Sequence, residues 1–226
     1  MHGVSVTDSL AKPMTTLHKR QTGIYDPASD PHAAVTVIGA GNIGSHTTLA
    51  LARMGIAHLE VFDADIVELH NLASQAYNVT DIDKPKVLAL GEQVAAVAPD
   101  GCDYTAHNEW YTDQVTNTIV VVAVDSLAER RAIGENLRGR CVHIIDGRMG
   151  GGQLEVHNPV DVDEWLRSMP AEADADPCSA RYISYTSYII AGVIANVVKQ
   201  VRMGEPTIRR YIHDTVTNQT ITEYAR

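Results

Sequence analysis

VTVIGAGNIGSHTTLALARMGIAHLEVFD, residues Val35 to Asp63, opens on a short apolar run, Val35 to Ile38, that reads as a buried strand. Gly39, Gly41 and Gly44 follow in the order G-x-G-x-x-G. A helix is predicted from about Ile43 to Met54, stopped by Gly55. A second strand, His58 to Phe62, delivers Asp63. The first glycine permits a tight turn, the second lets the backbone approach a phosphate, and the third lets the helix pack close against the strand. The helix N-terminus, with Asn42 in the loop that opens it, offers N–H groups to an anion. Asp63, about twenty residues after the glycines, sits where a ribose hydroxyl would be read. Alone, G-x-G-x-x-G also fits a structural turn. Strand–turn–helix–strand–Asp points to a nucleotide-binding βαβ unit.

The rest of the chain has room for one such fold. Its 226 residues, 45% of them apolar, fit a single α/β domain. We expect a doubly wound, Rossmann-like domain with a mostly parallel sheet over 33–226, ending in a C-terminal helix and β-hairpin, with an N-terminal arm over 1–32. No apolar run approaches the eighteen or so residues that span a membrane. The N-terminus lacks an apolar core of signal-peptide length, so a cytoplasmic protein is expected. A net charge of −10 argues against broad nucleic-acid binding, which needs a basic face. Cys102, Cys141 and Cys178 form no C-x-x-C pair, so no zinc is expected.

Downstream, the apolar positions Val87, Leu88, Leu90, Val94 and Val97 predict a helix with Asp83 as its cap and Pro85 in its first turn. Lys86 then adds its charge to the positive end of the helix dipole, which suits phosphate better than stability. A solvated surface lysine is the plain alternative, and Lys84 is a second occupant of the role. Asp103 to His107 reads as a strand. Thr118 to Val124 is β-branched and uninterrupted, a buried parallel strand, and it ends in Asp125. A helix, Leu127 to Arg138, leads to a strand, Val142 to Ile145, ending in Asp146-Gly147-Arg148. Three strands thus run into Asp63, Asp125 and Asp146 at the edge where parallel sheets bind ligands, although each Asp also suits an ordinary helix cap. Gln153 to His157 reads as a strand. Asn158 to Pro177 reads as loop-like and acidic, with a helical turn around Trp165, and Asp161 to Asp176 within it is expected to be mobile without substrate. A helix, Tyr182 to Met203, and a hairpin, Ile208 to His213 and Thr220 to Tyr224, complete the chain.

A nicotinamide oxidoreductase needs the glycine loop and Asp63 but has no use for Asn71, Gln75, Lys86 or Asp125. A nucleotide-cleaving enzyme does need such residues. Attack on a phosphate of ATP spreads negative charge that must be positioned and neutralised. Asp125 suits Mg²⁺, Lys86 suits phosphate, and Asn71 suits orientation of the oxygens.

GAGNIG, FDADIVELHNLASQ, DKPKV and VDSLAERR, in that order, resemble the ThiF/MoeB adenylyltransferases, bacterial relatives of ubiquitin-activating enzymes, over roughly Arg20 to Met203. The family's D-x-D-x-V-E-x-x-N-L segment matches Asp63, Asp65, Val67, Glu68, Asn71 and Leu72. Its lysine falls on Lys86, and its D-x-x-x-x-R on Asp125 and Arg130. The resemblance implies ATP and Mg²⁺, and adenylation of the C-terminal carboxylate of a small β-grasp carrier protein ending in Gly-Gly. It also implies a homodimer in which Arg20, before Gln21, reaches the partner's ATP site, and it places an accessible, sometimes nucleophilic cysteine at Cys178. Where the family has N-L-x-R-Q, this chain has Asn71-Leu72-Ala73-Ser74-Gln75. Arg148 is the candidate to replace the missing arginine. The zinc-binding C-x-x-C pairs of many members are missing from this sequence.

Overall fold

The computed structural model describes residues 17–99, 101–140, 142–169 and 182–225. Alternation along the strands builds two cores, one on each face of a sheet. From β1 (Ala34–Ile38), Val35 and Val37 pack on one face and Ile38 on the other. From β4 (Ile119–Val122), Ile119 and Val121 join the first core, Val120 and Val122 the second. A strand buried on both faces reads as an unbroken β-branched run.

The first core lies under α1 (Asn42–Met54), α2 (Lys86–Val97) and α5 (Ser184–Met203), through residues such as Leu51, Leu90 and Ile194. The second lies under α3 (Leu127–Leu137) and α4 (Val162–Arg167), through Ile133, Leu137 and Trp165. With β2 (His58–Phe62), β3 (Asp103–His107), β5 (His143–Gly150), β6 (Gln153–His157), β7 (Ile208–Asp214) and β8 (Gln219–Tyr224), the described strands form one sheet of eight, in the order β3-β2-β1-β4-β5-β6-β7-β8. The pairs from β3 to β5 are parallel, and those from β5 to β8 antiparallel. Helices on both faces make it the doubly wound α/β fold expected, closed by the C-terminal helix and hairpin. The chain leaves β1 toward β2 and β3, then crosses to β4 on the other side. The crevice beyond the C-terminal ends of β1 and β4 is therefore the place for a ligand.

Several elements differ from expectation. β5 does not stop at Ile145. It runs to Gly150 because β6 folds back and pairs with it, Asp146 opposite His157 and Gly150 opposite Gln153. Asp83 is not the cap of α2: it takes φ 68°, and Pro85 is the residue before the first turn. The helical turn expected around Trp165 is α4, and what differs is that this part of the acidic stretch is packed. Asp161 accepts a hydrogen bond from the Glu164 N–H to open α4, and Trp165 is fully buried. The remainder of that stretch, 170–181 with Cys178, lies outside the described residues, as does Cys141. Residues 17–32 pack on the body: Tyr25 and Pro27 are buried, Gln21 Nε2 donates to Met54 O at 2.6 Å, and Asp30 pairs with Arg202. No helix among the described residues is long and apolar enough to cross a membrane.

Candidate active site

The three glycines divide their work as their surroundings dictate. Gly39 has φ +95°, and a Cβ there would lie 2.8 Å from the carbonyl oxygen of Ala123, the residue after β4. A Cβ at Gly44 would lie 1.8 Å from the Gly39 carbonyl oxygen. A Cβ at Gly41 would meet nothing within 4 Å. Two glycines thus let backbones pass each other, and the third borders open space. Gly41→Ala is therefore expected to keep the fold and weaken nucleotide binding about tenfold or more by filling that space. Gly44→Ala is expected to give little folded protein. Thermal melts and calorimetric titration of the two variants check this, and a Gly44→Ala protein as stable as the wild type would contradict it.

Gly41 caps α1 with no side-chain hydrogen bond, and the first turn holds no acidic residue, so its N–H groups face the crevice uncompensated. The loop itself is fixed by its neighbours. The Ala40 N–H donates to Asp63 Oδ2 at 2.7 Å, and Tyr77 OH donates to the Ala40 carbonyl at 2.7 Å. The other oxygen of Asp63 accepts from the Asp65 N–H at 2.8 Å. Burial raises the Asp63 pKa above the ordinary carboxylate value, against the opposing pull of Lys86 and the two N–H donors. Asp63 therefore holds the loop as well as facing the crevice.

A cavity of about 630 Å³ fills the crevice, and Gly39, Gly41, Asn42, Asp63, Asp65, Asn71, Gln75, Lys86, Asp125 and Arg148 all line it. Gly44 lies behind, under Gly39. The sequence motifs, separated by up to a hundred residues or so, meet at one place.

Lys86 is 7% exposed, and its Nζ donates to Asp65 Oδ2 at 2.7 Å. An isolated bridge between Ile66 and Pro85, flanked by Lys86 N to Asp65 O at 2.9 Å, stitches the segment after β2 to the start of α2. Lys86 is thus not a solvated surface lysine. Lys84 points away, to Glu92 at 2.7 Å. Asn71 is buried and accepts from the Glu68 N–H through Oδ1 at 2.8 Å, so half of its amide maintains the 3-10 turn Leu69–Ala73.

Asp125 stands at the end of β4 with its carboxylate exposed to the cavity. The ordinary task of an Asp at that place, capping α3, belongs to Ser126, which accepts from the Glu129 N–H at 3.3 Å. Asp125 makes no hydrogen bond or ion pair among the described residues. By contrast, Asp146 is fully buried and accepts from Arg130, from Arg148 Nε at 2.7 Å and from Trp165 Nε1 at 2.8 Å. Asp146 is therefore a structural anchor and not a third free carboxylate at the sheet edge. Arg130 also donates to the carbonyls of Val124 and Gly147, which fixes the backbone next to Asp125. Arg148 reaches the cavity but is partly held by Asp146.

Sequence reasoning missed Glu129, which lines the cavity, and whose pKa is raised by burial and by the charges of Asp125, Asp63 and Asp65. It also missed Tyr77, Trp110 and Tyr182, for which no local pattern gave a signal. Arg20 does not reach the cavity in its own chain. It lies with Gln21 near the Met54 end of α1, in a recess shared with His18 and Arg53, about 20 Å of helix away from the glycine loop. Cys178 lies outside the described residues.

The cationic Lys86 and the free N–H groups at the start of α1 suit the phosphates of a nucleoside triphosphate. The Asn42 Oδ1 and Gln75 Oε1 acceptors are buried without a partner, which is costly unless a hydroxyl, an amino group or a water donates to them. Among the described residues no group of three or more His, Cys, Asp or Glu could hold a metal. Magnesium needs only one or two carboxylates when phosphates and waters complete its shell, and Asp125 meets that requirement.

A sequence model of the ThiF family matches residues 31–224. The chain belongs to the ThiF family. Its ThiF relatives include the NEDD8-activating enzyme E1 catalytic subunit of Caenorhabditis elegans, 32% identical over 122 residues, covering 50% of this chain and 28% of that one. The tRNA threonylcarbamoyladenosine dehydratase of Bacillus subtilis is 30% identical over 84 residues, covering 37% and 33%. The matched part thus spans about a third or less of these relatives. The fold is also that of Escherichia coli MccB. The complex with MccA-N7isoASN superposes with a TM-score of 0.79 at 15% identity, covering 95% of this chain and 72% of MccB. The MccB complex with ATP gives 0.73 at 16%, covering 88% and 65%.

Proposed function

We propose that this chain is an ATP-dependent adenylyltransferase acting on the C-terminal carboxylate of a small β-grasp carrier protein or peptide ending in Gly-Gly. The observation that carries the reading is the carboxylate of Asp125, left without a structural task, facing the uncapped N-terminus of α1 across one cavity. In the reaction a carboxylate oxygen of the carrier attacks the α-phosphorus of ATP. The bond from that phosphorus to the bridging oxygen breaks, and its electron pair leaves on pyrophosphate. The N–H groups at the start of α1 cradle phosphate oxygens, and the amides of Asn42 and Gln75 orient them. Lys86, already partly neutralised by Asp65, brings a cation that needs no further desolvation, and Asp63 receives the ribose. A magnesium ion held by Asp125 would supply charge neutralisation on the phosphates. Exchange of labelled pyrophosphate into ATP, dependent on a candidate carrier, tests the reading. ATP binding without exchange across a panel of carriers would sink it.

Ser74 favours a second reading, a weakened family member that binds nucleotide and a protein partner. Ser74 lines the cavity where the resemblance implies an arginine. Losing one cation on leaving pyrophosphate costs on the order of 3–4 kcal/mol, about 10²–10³ in rate. Arg148 can offset this only by loosening from Asp146. Nicotinamide nucleotide binding without ATP affinity would point instead to an oxidoreductase. The dehydratase relative's name points to tRNA, against which the net charge of −10 counts.

Arg20 adds a requirement on assembly. Its place at the far end of α1 suits action on a partner subunit, which demands a symmetric dimer. Mixing inactive Arg20→Ala with inactive Asp125→Ala under conditions of subunit exchange is expected to revive exchange activity. About a quarter of the sites recover with random pairing in a two-fold dimer. If subunits demonstrably exchange and the mixture stays inactive, Arg20 does not act in trans.

A further inference from the structure

The lining of the cavity is of two kinds. Asn42, Gln75, Lys86 and Arg148 are polar, whereas Ile38, Phe62, Leu127 and Ile133 are apolar, with Trp110 and Tyr111 on the connection from β3 to β4 beside them in the same lining. The sequence holds two tryptophans, with opposite fates: Trp165 is fully buried, whereas Trp110 is 55% exposed beside the cavity. Leaving so large an apolar ring in water is unfavourable unless something covers it.

The surroundings of Trp110 are built, not loose. Arg140 donates to the Gln114 carbonyl at 2.6 Å and to the Asp113 carbonyl at 2.7 Å. The Thr112 N–H donates to Gln114 Oε1 at 2.7 Å. Beneath, Tyr111 meets Phe62 edge-on at 5.4 Å, and Phe62 stacks on His107 at 4.0 Å with an interplanar angle of 3°. Phe62 directly precedes Asp63, and Asp63 is bonded to the glycine loop. Aromatic group, carboxylate and glycine loop are therefore joined one to the next, Phe62 to Asp63 along the chain and Asp63 to the Ala40 N–H by a hydrogen bond, the three kinds of group that base, ribose and phosphate of a nucleotide call for.

We propose that Trp110 is the stacking platform for the purine base, with Phe62 and Tyr111 as the apolar wall behind it. This rests on the reading of the cavity as a nucleoside triphosphate site and assigns its base end. Every base presents a π-face, so Trp110 supplies affinity for purines in general, and ATP and GTP are expected to depend on it alike.

The test uses the full chain with magnesium, titrated with ATP, GTP and inorganic tripolyphosphate, and followed by tryptophan fluorescence and calorimetry. ATP is expected to quench the wild-type emission. In Trp110→Phe, where Trp165 alone emits, the quenching is expected to vanish while most affinity remains. Trp110→Ala is expected to weaken ATP and GTP roughly tenfold or more and to leave tripolyphosphate unaffected. Wild-type ATP affinity in Trp110→Ala would overturn the proposal and leave the site reading intact. So would equal quenching in Trp110→Phe, or a parallel loss of tripolyphosphate, the mark of a merely structural role. Quenching by a carrier protein but not by nucleotides would give Trp110 to the partner and overturn it as well. Absence of any ATP binding to the wild type would overturn both this assignment and the site reading.

Discussion

Asp125→Ala is expected to reduce ATP–pyrophosphate exchange by about 10³-fold or more, while shifting the thermal unfolding midpoint by only about 1–2 °C. The two halves of the expectation have one cause. The carboxylate is exposed and makes no hydrogen bond among the described residues, because Ser126 caps α3 in its place. Removing it leaves no donor or acceptor stranded. In the proposed reaction, what would disappear is the anionic ligand for the magnesium ion on the phosphates. A folded variant that exchanges pyrophosphate at near the wild-type rate would show the adenylation centre to be misassigned. A variant that loses both activity and stability would mean that Asp125 has a structural task after all.

Asp146→Asn is expected to act through the fold instead, costing about 3–5 kcal/mol of stability, or roughly 10 °C or more in midpoint. The buried carboxylate balances Arg130, itself 4% exposed, and also receives Arg148 and the Trp165 indole N–H. Its replacement leaves a buried guanidinium uncompensated. Burial by itself would raise the Asp146 pKa. The Arg130 and Arg148 charges and the Trp165 hydrogen bond outweigh that and hold it below the ordinary carboxylate value. A depressed folded pKa means that the stabilisation is present above the unfolded value, about 3.9, and is lost as pH falls through the folded one. Melts of the wild type should therefore show an acid-labile component below about pH 4 that Asp146→Asn lacks. Equal midpoints for the two proteins at pH 7 would remove Asp146 from its central place. Since Arg130 also holds the Val124 carbonyl beside Asp125, we expect exchange activity to fall with stability in this variant.

These two aspartates, alike in sequence, separate what can be read locally from what cannot. The glycine loop, the strand before it and the helix after it are set by short-range sterics. Gly39 adopts a positive φ, Gly55 closes α1 at φ +94°, and the β-branched runs at β1 and β4 fill both faces of a sheet. Such constraints act within a few residues, so order and spacing alone specify the doubly wound fold and the edge of the sheet where the cavity opens. Family motifs then selected the residues that line the cavity, from Asn42 to Arg148. The sequence by itself could not say which aspartate is spent. Asp146 looks like a strand-end residue until β6 pairs back onto β5 and carries the strand past it, a contact formed with residues downstream. Whether Asp125 caps its helix depends on competition with Ser126, which the backbone geometry settles. The burial of Lys86 against Asp65 likewise depends on the bridge between Ile66 and Pro85. After Asn158 the sequence announced the helical turn around Trp165 but not its burial, because Trp165 finds its place between Gly134, where a Cβ would crowd Leu166 at 2.5 Å, and the carboxylate of Asp146. Periodicity reports which face of an element is apolar. Only the tertiary structure decides which buried charge meets which partner, and so which one is left over for chemistry.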